Sequence, residues 1–396
     1  MIKRVSLIVC TAAVAVACRS ESTTAPGSSS ERGELVTASL VQSFPLATAA
    51  ALIALAGSGA SSAFPAKYDV QIYSITYRTI DVTGRATVAS GAVFVPLNAG
   101  AVPLMSYSHG TASRTGVPSL QSQEGVAAGV LFATTGGVVA MADYLGLGSN
   151  PGFHPYIHAA SEASAGLDAL RAARALAQRQ GVALNMKVFV FGYSQGGHAS
   201  MALAREIEQH ATPEFTLTAA APMSGPYDVL GTATTYLTDP SPNVAASSYT
   251  LYALAAYDTI YHLGRLDQLF KPPYDTVAAS LIAGRTSYDA IASAVAPTPA
   301  AMLQPATLQS LADSTSALVR ALHDNDVYDW RPRAPMRLYY GTADRDVPPQ
   351  NALTAAARMR ALGATDVQAV SVGPLSHTAA VLPAFIAAAL FFNAYR

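Results

Sequence analysis

The sequence predicts an α/β fold in which a mostly parallel β-sheet is flanked by helices. Six short, continuous apolar runs are typical of strands buried on both faces, and they lie at 102–109, 137–143, 187–191, 217–223, 336–340 and 367–372. Helical segments separate most of these runs, and such alternation is typical of parallel sheets. Two earlier segments, 68–81 and 87–96, favour β-structure and predict a meander at the start of the sheet.

Composition sets limits on the function. The chain has 396 residues, of which 51% are hydrophobic and 12% charged, so it can bury a large core and is not of the disordered class. The net charge is −1, and we find no basic run or zinc-finger spacing. We therefore expect no nucleic-acid partner. After the N-terminal segment no apolar stretch is long enough to predict a transmembrane helix.

The N-terminus is typical of an export signal. Residues 1–17 combine a positively charged start with a short apolar stretch. The sequence AVAC, ending at Cys18, resembles a bacterial lipobox, in which the cysteine carries the lipid and becomes the mature N-terminus. Residues 15–17 also fit an ordinary A-x-A cleavage site, so a cell-envelope lipoprotein and plain secretion both remain open. A lipid on Cys18 would be the only membrane contact.

The remaining chain divides into a core and an insertion. Residues 18–34 are rich in Ser, Thr, Gly and Pro and predict a flexible tether. Residues 35–228 and 331–396 carry the alternating strands and helices of the core, beginning with an apolar helix over 46–56. Residues 229–330 are rich in Ala, Tyr and Pro and contain helical patches without a convincing buried strand. We interpret them as a mostly helical cap over the sheet.

One serine stands at the junction of a predicted strand and a predicted helix. Ser194 has glycine two positions before it and two positions after it, in the sequence GYSQG. A sharp strand-to-helix turn would bring the backbone at Gly192 and Gly196 too close to its neighbours for side chains. Such a turn exposes the hydroxyl at the carboxyl end of the sheet, where ligands of α/β proteins bind. Ser194 is therefore the predicted nucleophile.

A serine nucleophile needs a base, and the base needs an acid that orients it. Asp344 follows one late strand and His377 follows the next, in the order expected for this type of site. We assign His377 as general base and then acid, and Asp344 as the residue that holds its tautomer. Asp346 is the alternative acid, although Asp344 follows the strand more closely.

Two backbone donors are needed to stabilise the oxyanion of a tetrahedral intermediate. The N–H of Gln195, at the start of the helix, is one candidate. The second is expected from the loop after the strand at 102–109, from Gly110 or Thr111, with Gly110 preferred. His109 is expected to shape this loop rather than to act as a second base.

A possible metal-binding pattern elsewhere is weak. His154, His158 and Glu162 are spaced by four residues, but Pro155 disfavours a helix at the first of them and no third histidine is evident. We predict no metal and no cofactor. His198 lies on the helix after the serine and is expected to pack locally.

Several stretches together resemble the α/β-hydrolase superfamily, and within it the fungal secretory lipases and their bacterial relatives. They read SYSHGT, ADYLGLG, HPYIHAASEASAGLDALRA, VFGYSQGGHASMALA, SGPYD, GTADRDVPPQNA and LSHTAA. The resemblance implies an α/β-hydrolase fold with a helical cap, hydrolysis of carboxylic esters, and a triad at Ser194, Asp344 and His377.

These observations predict an exported serine hydrolase that cleaves small-molecule esters or lipids through an acyl-enzyme intermediate. A cap with few charges suits apolar acyl or aryl esters. A serine peptidase of the same fold and a non-catalytic surface-binding protein are the alternatives.

Overall fold

Nine strands form one mixed sheet in the computed structural model, which describes residues 32–112 and 116–396. The predicted signal peptide (1–17), the proposed lipid site at Cys18 and most of the predicted tether lie outside the described residues. In chain order the strands are β1 Leu35–Phe44, β2 Val70–Ile80, β3 Ala86–Pro96, β4 Val102–Ser108, β5 Val138–Ala142, β6 Leu184–Tyr193, β7 Leu217–Met223, β8 Met336–Tyr340 and β9 Val367–Ser371.

The sheet combines an antiparallel edge with a parallel body. Its strand order is β1-β2-β3-β5-β4-β6-β7-β8-β9. The first three pairings, β1 to β2, β2 to β3 and β3 to β5, are antiparallel, whereas all later neighbours run parallel. Every residue of β4 and β5 is buried, as expected for strands covered on both faces. The predicted α/β fold with a mostly parallel sheet is confirmed.

The strand β1 is absent from the sequence-based prediction, which placed the first core element at the helix over 46–56. Most side chains of β1 are exposed on both faces, so its sequence carries no clear alternation. It forms the edge of the sheet by antiparallel pairing with β2. Backbone hydrogen bonds to a neighbouring strand, rather than a hydrophobic pattern, decide that this segment is a strand.

Sixteen helices accompany the sheet in the described part of the chain. They are α1 Leu46–Leu55, α2 Ser58–Ala63, α3 Pro118–Gln121, α4 Gln123–Thr134, α5 Ala159–Arg179, α6 Gln195–His210, α7 Val229–Thr238, α8 Val244–Tyr261, α9 Leu266–Leu269, α10 Tyr274–Ile282, α11 Tyr288–Ile291, α12 Pro299–Met302, α13 Pro305–Ala312, α14 Ala317–Asp324, α15 Gln350–Ala361 and α16 Val381–Asn393. None of these helices is both long enough and apolar enough to cross a bilayer.

The sheet separates two hydrophobic cores. On one face α5, α6 and α15 bury small and aliphatic side chains against the strands. On the other face α1, α2, α4 and α16 pack with a cluster of phenylalanines that includes Phe132, Phe191 and Phe392. Burial of apolar area on both faces explains why the central parallel strands are continuous apolar runs. The run at 367–372 was also expected to be buried on both faces, but β9 lies at the edge of the sheet and only Val367 is buried.

The helices α7 to α14 occupy residues 229–330, all of which are described. A third hydrophobic core lies among them and includes Tyr252, Tyr257 and Phe270. Tyr156 and Ile157, from the loop before α5, belong to the same core. Within 229–330 the only β-type pairing is a single bridge between Phe270 and Leu303. This part of the chain therefore has its own apolar interior and joins the sheet through the loop before α5.

A buried carboxylate ties the first described residues to the core. The side chain of Asp168 on α5 is fully buried and accepts hydrogen bonds from Arg171 at 2.7 Å and from Thr79 at 2.8 Å. It also pairs with Arg32 at 3.1 Å, so this end of the predicted tether is packed against the core. A buried carboxylate is tolerated only when its charge and lone pairs are satisfied in this way.

We expect Asp168→Asn to lower the free energy of unfolding by about 2–3 kcal/mol, because two guanidinium groups would lose their buried anionic partner. Asp329→Asn is the matched control, because Asp329 pairs with Arg358 at 2.8 Å with both side chains about half exposed. That change should cost less than about 1 kcal/mol. Urea unfolding of both variants measures the difference, and equal losses would contradict the structural role of Asp168.

Candidate active site

A tight turn between β6 and α6 presents Ser194. Its backbone has a φ of 60°, a conformation that side-chain-bearing residues rarely adopt. A Cβ atom on Gly192 would lie 2.2 Å from the carbonyl oxygen of Gly196. A Cβ atom on Gly196 would lie 1.8 Å from the carbonyl oxygen of Ser108, at the end of β4. Only glycine fits at these two positions, which explains the motif.

Three side chains form a continuous hydrogen-bonded chain at this turn. The Oγ atom of Ser194 lies 2.9 Å from Nε2 of His377, and Nδ1 of His377 lies 2.7 Å from Oδ2 of Asp344. All three residues are buried. Donation from Nδ1 to the carboxylate leaves Nε2 free to accept the serine proton, which is the arrangement that general-base catalysis requires.

Parallel strand pairing brings these residues together. Asp344 follows β8 and His377 follows β9, so both lie at the carboxyl edge of the sheet beside the end of β6. The other oxygen of Asp344 accepts the N–H groups of Asp346 at 3.0 Å and Val347 at 2.9 Å. The hydroxyl of Tyr193 donates to the carbonyl of His377 at 2.5 Å. Asp344 and His377 are therefore each held in position by additional hydrogen bonds.

The alternative acid, Asp346, is placed differently. The carboxylate in contact with His377 belongs to Asp344, whereas Asp346 offers its backbone carbonyl to the hydroxyl of Tyr236. Burial raises the pKa of the Asp346 carboxyl above its usual value, and the negative charge of Asp344 adds to this. The geometry thus distinguishes two carboxylates that the sequence left open.

The predicted oxyanion donors have different surroundings. Gln195 is the first residue of α6, where a backbone N–H has no partner within the helix. A Cβ atom on Gly110 would lie 3.3 Å from a carboxylate oxygen of Glu124, so this carboxylate lies close to the loop. The hydroxyl of Thr111 lies 2.8 Å from that of Tyr156. Gln195 also lines the cleft beside Ser194, whereas Gly110 lies next to the carboxylate of Glu124.

Glu124 was not identified from the sequence. It lies in the first turn of α4 and accepts a short hydrogen bond from the hydroxyl of Tyr107. Burial raises the pKa of its carboxyl, while Tyr107, Gly110 and His377 oppose that shift. An acidic residue at a helix start usually indicates only capping, so no local pattern marks its position behind the loop.

His109 helps to shape the same loop, as expected. Its ring lies against that of Tyr144 with centroids 4.3 Å apart, and its Nδ1 lies 2.7 Å from the carbonyl of Gly110. Burial lowers the pKa of His109, which favours the neutral ring. A neutral, packed imidazole contacting backbone carbonyls is suited to a structural role.

The residues of the weak metal pattern each have other partners. His154 contacts the carbonyl of Leu145 at 2.8 Å, and His158 contacts the hydroxyl of Ser161 at 3.0 Å. Glu162 lies 2.6 Å from the ring of His198. In the described part of the chain no group of three or more His, Cys, Asp or Glu side chains is arranged to hold a metal. His198 packs locally, but its carboxylate partner was not foreseen.

An apolar cleft opens beside Ser194. Its walls come from α7, α8, α14 and the loops before α5 and after β8, and its described lining residues carry no charge. The aromatic and aliphatic ones are Tyr156, Ile157, Val229, Ala233, Tyr236, Tyr249, Ala253, Leu254, Leu322 and Val347. Such a cleft can exclude water from the serine and bind an apolar group.

Comparison with known proteins agrees with this geometry. A family model described as secretory lipase matches residues 84–262. The crystal structure of LipA, a rice cell wall degrading esterase from Xanthomonas oryzae, is 30% identical with a TM-score of 0.83, and the match covers 92% of this chain and 100% of that one. The chain belongs to the secretory lipase family of α/β-hydrolases.

The enzyme is therefore a carboxylic ester hydrolase that acts on small-molecule esters, and the predicted family and activity are confirmed. A putative hydrolase from Legionella pneumophila is also 30% identical, with a TM-score of 0.84 and coverage of 91% of this chain and 98% of that one. Lipase A from Candida antarctica shares the fold at 18% identity, with a TM-score of 0.65 over 90% of this chain and 83% of the lipase. No curated protein matched the sequence.

We expect Gly196→Ala to abolish activity and to destabilise the fold by roughly 3 kcal/mol or more, since the new methyl group would overlap the backbone of Ser108. Gly166→Ala is the control, because its Cβ would meet only the flexible side chain of Leu203, at 3.0 Å. That variant should fold and remain active. Thermal unfolding and ester hydrolysis measure both, and an active Gly196→Ala enzyme would contradict the tight turn.

Proposed function

We propose that the enzyme cleaves esters through a Ser194–His377–Asp344 triad and an acyl-enzyme intermediate. The observation that carries this proposal is the continuous hydrogen-bonded chain from the serine hydroxyl through the imidazole to a buried carboxylate. The directions of these hydrogen bonds suit the three roles, because the carboxylate accepts from Nδ1 and Nε2 accepts from the hydroxyl.

In the first half-reaction, the Oγ of Ser194 attacks the ester carbonyl carbon while its proton moves to Nε2 of His377. The carboxylate of Asp344 stabilises the imidazolium that forms. Collapse of the tetrahedral intermediate breaks the bond to the alcohol oxygen, which takes the proton from Nε2 and leaves. In the second half, His377 removes a proton from water, the resulting hydroxide attacks the acyl carbon, and the carboxylic acid departs as Oγ regains its proton.

The negative oxygen of each tetrahedral intermediate needs donors that are already in place. The N–H of Gln195 at the start of α6 is suited to this, and the dipole of α6, which begins there, favours negative charge at the same end. We assign the second donor to the loop at Gly110 and Thr111.

The surroundings of Ser194 favour an apolar acyl or aryl ester. Tyr236 and Tyr249 face the serine across the cleft, from α7 and α8. We propose that residues 229–330 serve as the cap of this site, since they supply most of its apolar wall. A peptidase that recognises a free peptide N-terminus would need a carboxylate for its ammonium group, and none lines the described part of the cleft. Glu208, an acidic residue further along α6, lies outside this lining and pairs with Arg333.

We expect Ser194→Ala to lose ester hydrolysis by roughly 10³-fold or more and to escape labelling by a fluorophosphonate. Asp344→Asn should lose about as much, because the amide would favour the wrong tautomer of His377. Asp346→Asn is the control and should keep activity within about threefold. Rates with p-nitrophenyl esters test all three. Full activity in Ser194→Ala would exclude the serine mechanism.

We also propose that the enzyme is exported and that Cys18 carries a lipid. The proposal rests on the signal-like residues 1–17 and on the AVAC sequence that ends at Cys18. When the full chain is produced in a bacterial host, labelled palmitate should enter the wild type and not Cys18→Ala. Cys18→Ala should be recovered in the soluble fraction, whereas the wild type should be recovered with the membranes. Equal labelling of the two proteins, or none in either, would favour plain secretion.

A further inference from the structure

Four polar side chains are buried together beneath the proposed nucleophile. His154, Glu162, Gln195 and His198 are each no more than 3% exposed. The hydrolysis steps proposed above use none of these side chains, although the backbone N–H of Gln195 belongs to the site. Buried polar groups are costly unless they are fully paired, so their arrangement needs a physical reason.

The orientation of the Gln195 amide follows from its neighbours. Nδ1 of His154 faces the carbonyl of Leu145 at 2.8 Å, and a carbonyl can only accept, so the ring proton is on Nδ1. Burial lowers the pKa of His154 to about 4, which keeps the ring neutral near pH 7 and leaves Nε2 as an acceptor. Nε2 of Gln195 therefore donates both its protons, to His154 at 2.9 Å and to Glu162 at 2.9 Å.

The second oxygen of Glu162 binds His198. Nε2 of His198 lies 2.8 Å from the carbonyl of Asn325, so this nitrogen carries a proton. Nδ1 lies 2.6 Å from Glu162, and a bare nitrogen facing a bare carboxylate at that distance would be repulsive. A proton must therefore lie between the two groups. The pair is neutral overall, which reduces the cost of its burial.

The network also reaches the proposed cap. Asn325 directly follows α14, and its side chain accepts the N–H of Ala159 at 2.9 Å and donates to the hydroxyl of Tyr261 on α8 at 2.8 Å. One hydrogen-bonded path thus runs from the start of α6 through Glu162 and His198 to two helices of residues 229–330. It joins α5 and α6 of the core to the helices α8 and α14.

We propose that Glu162 and His198 are positioning residues. They hold the side-chain amide of Gln195, and through it the backbone N–H of the same residue, in place for oxyanion binding. This inference rests on the function proposed above. In this role Glu162 and His198 act through their hydrogen bonds and need no net charge. A displacement of about 1 Å in a catalytic group can cost about 10²-fold in rate, so loss of the network should lower kcat rather than raise KM.

The decisive comparison is Glu162→Met against Glu162→Gln. Methionine removes both hydrogen bonds, and kcat for a p-nitrophenyl ester should fall about 30-fold or more with KM within about threefold. Glutamine can accept from Gln195 and donate to Nδ1 of His198, which then needs no added proton. Glu162→Gln should therefore keep kcat within about threefold of wild type. Equal losses in the two variants, or no loss in Glu162→Met, would overturn the proposal.

Gln195→Met tests the same network from its other end, because it keeps the backbone N–H and removes the side-chain amide. It should lower kcat like Glu162→Met, and the double variant should be no worse than the more severe single variant, since both act through one network. Additive losses would contradict a shared path. If both methionine variants fail to fold, nitrogen NMR of Glu162→Gln decides, since Nδ1 of His198 must then lose its proton signal. A proton retained on Nδ1 would overturn the assignment.

The controls separate this inference from the proposed function. Glu206 and His210 form an exposed pair 2.9 Å apart on the same helix, so Glu206→Met should leave kcat within about twofold. Activity in Ser194→Ala would refute the serine mechanism whatever the Glu162 variants do. Loss of activity in Ser194→Ala with full activity in Glu162→Met would refute only the positioning role.

Discussion

The active site depends on one close approach, that of the backbone at Gly196 to the carbonyl of Ser108. The two chain segments come nearer than any side chain would allow, and this contact locks the start of α6 against the end of β4. The positive φ of Ser194 is a consequence of the same geometry. Local strain of this kind persists only when the surrounding structure enforces it, and here the buried strand β4 and the buried end of β6 do so.

The other two members of the proposed triad come from the parallel body of the sheet. Register between β7, β8 and β9 places the residues after each strand at one edge, so Asp344 and His377 meet although they are separated by α15. Their supports come from other elements, notably Tyr193 at the end of β6. A strand-based scaffold limits the freedom of short connecting loops, which suits a site that needs hydrogen bonds of defined length.

Ser194 lies between an apolar cleft on one side and a buried polar network on the other. Above Ser194 the cleft is walled by aromatic and aliphatic side chains, largely from residues 229–330. On the other side lie the buried, hydrogen-bonded side chains of Glu162, Gln195 and His198, although Oε1 of Gln195 has no partner among the described residues. In a medium of low dielectric, satisfied hydrogen bonds hold their geometry strongly, and this makes the polar network a rigid support for the cleft.

The sequence alone determined the parallel strands, because burial on both faces leaves a continuous apolar run that needs no knowledge of neighbours. It also singled out Ser194 and His377, which the structure brings into contact, since a glycine-flanked turn and a strand-end position are local features. It missed β1, whose side chains are mostly exposed, and it left Asp344 and Asp346 unresolved. Tertiary structure decided these points, and it alone paired Glu162 with His198 across 36 residues of chain. Spacing along a chain reports local periodicity, whereas a contact between distant residues exists only once the packing of whole elements has fixed their distance.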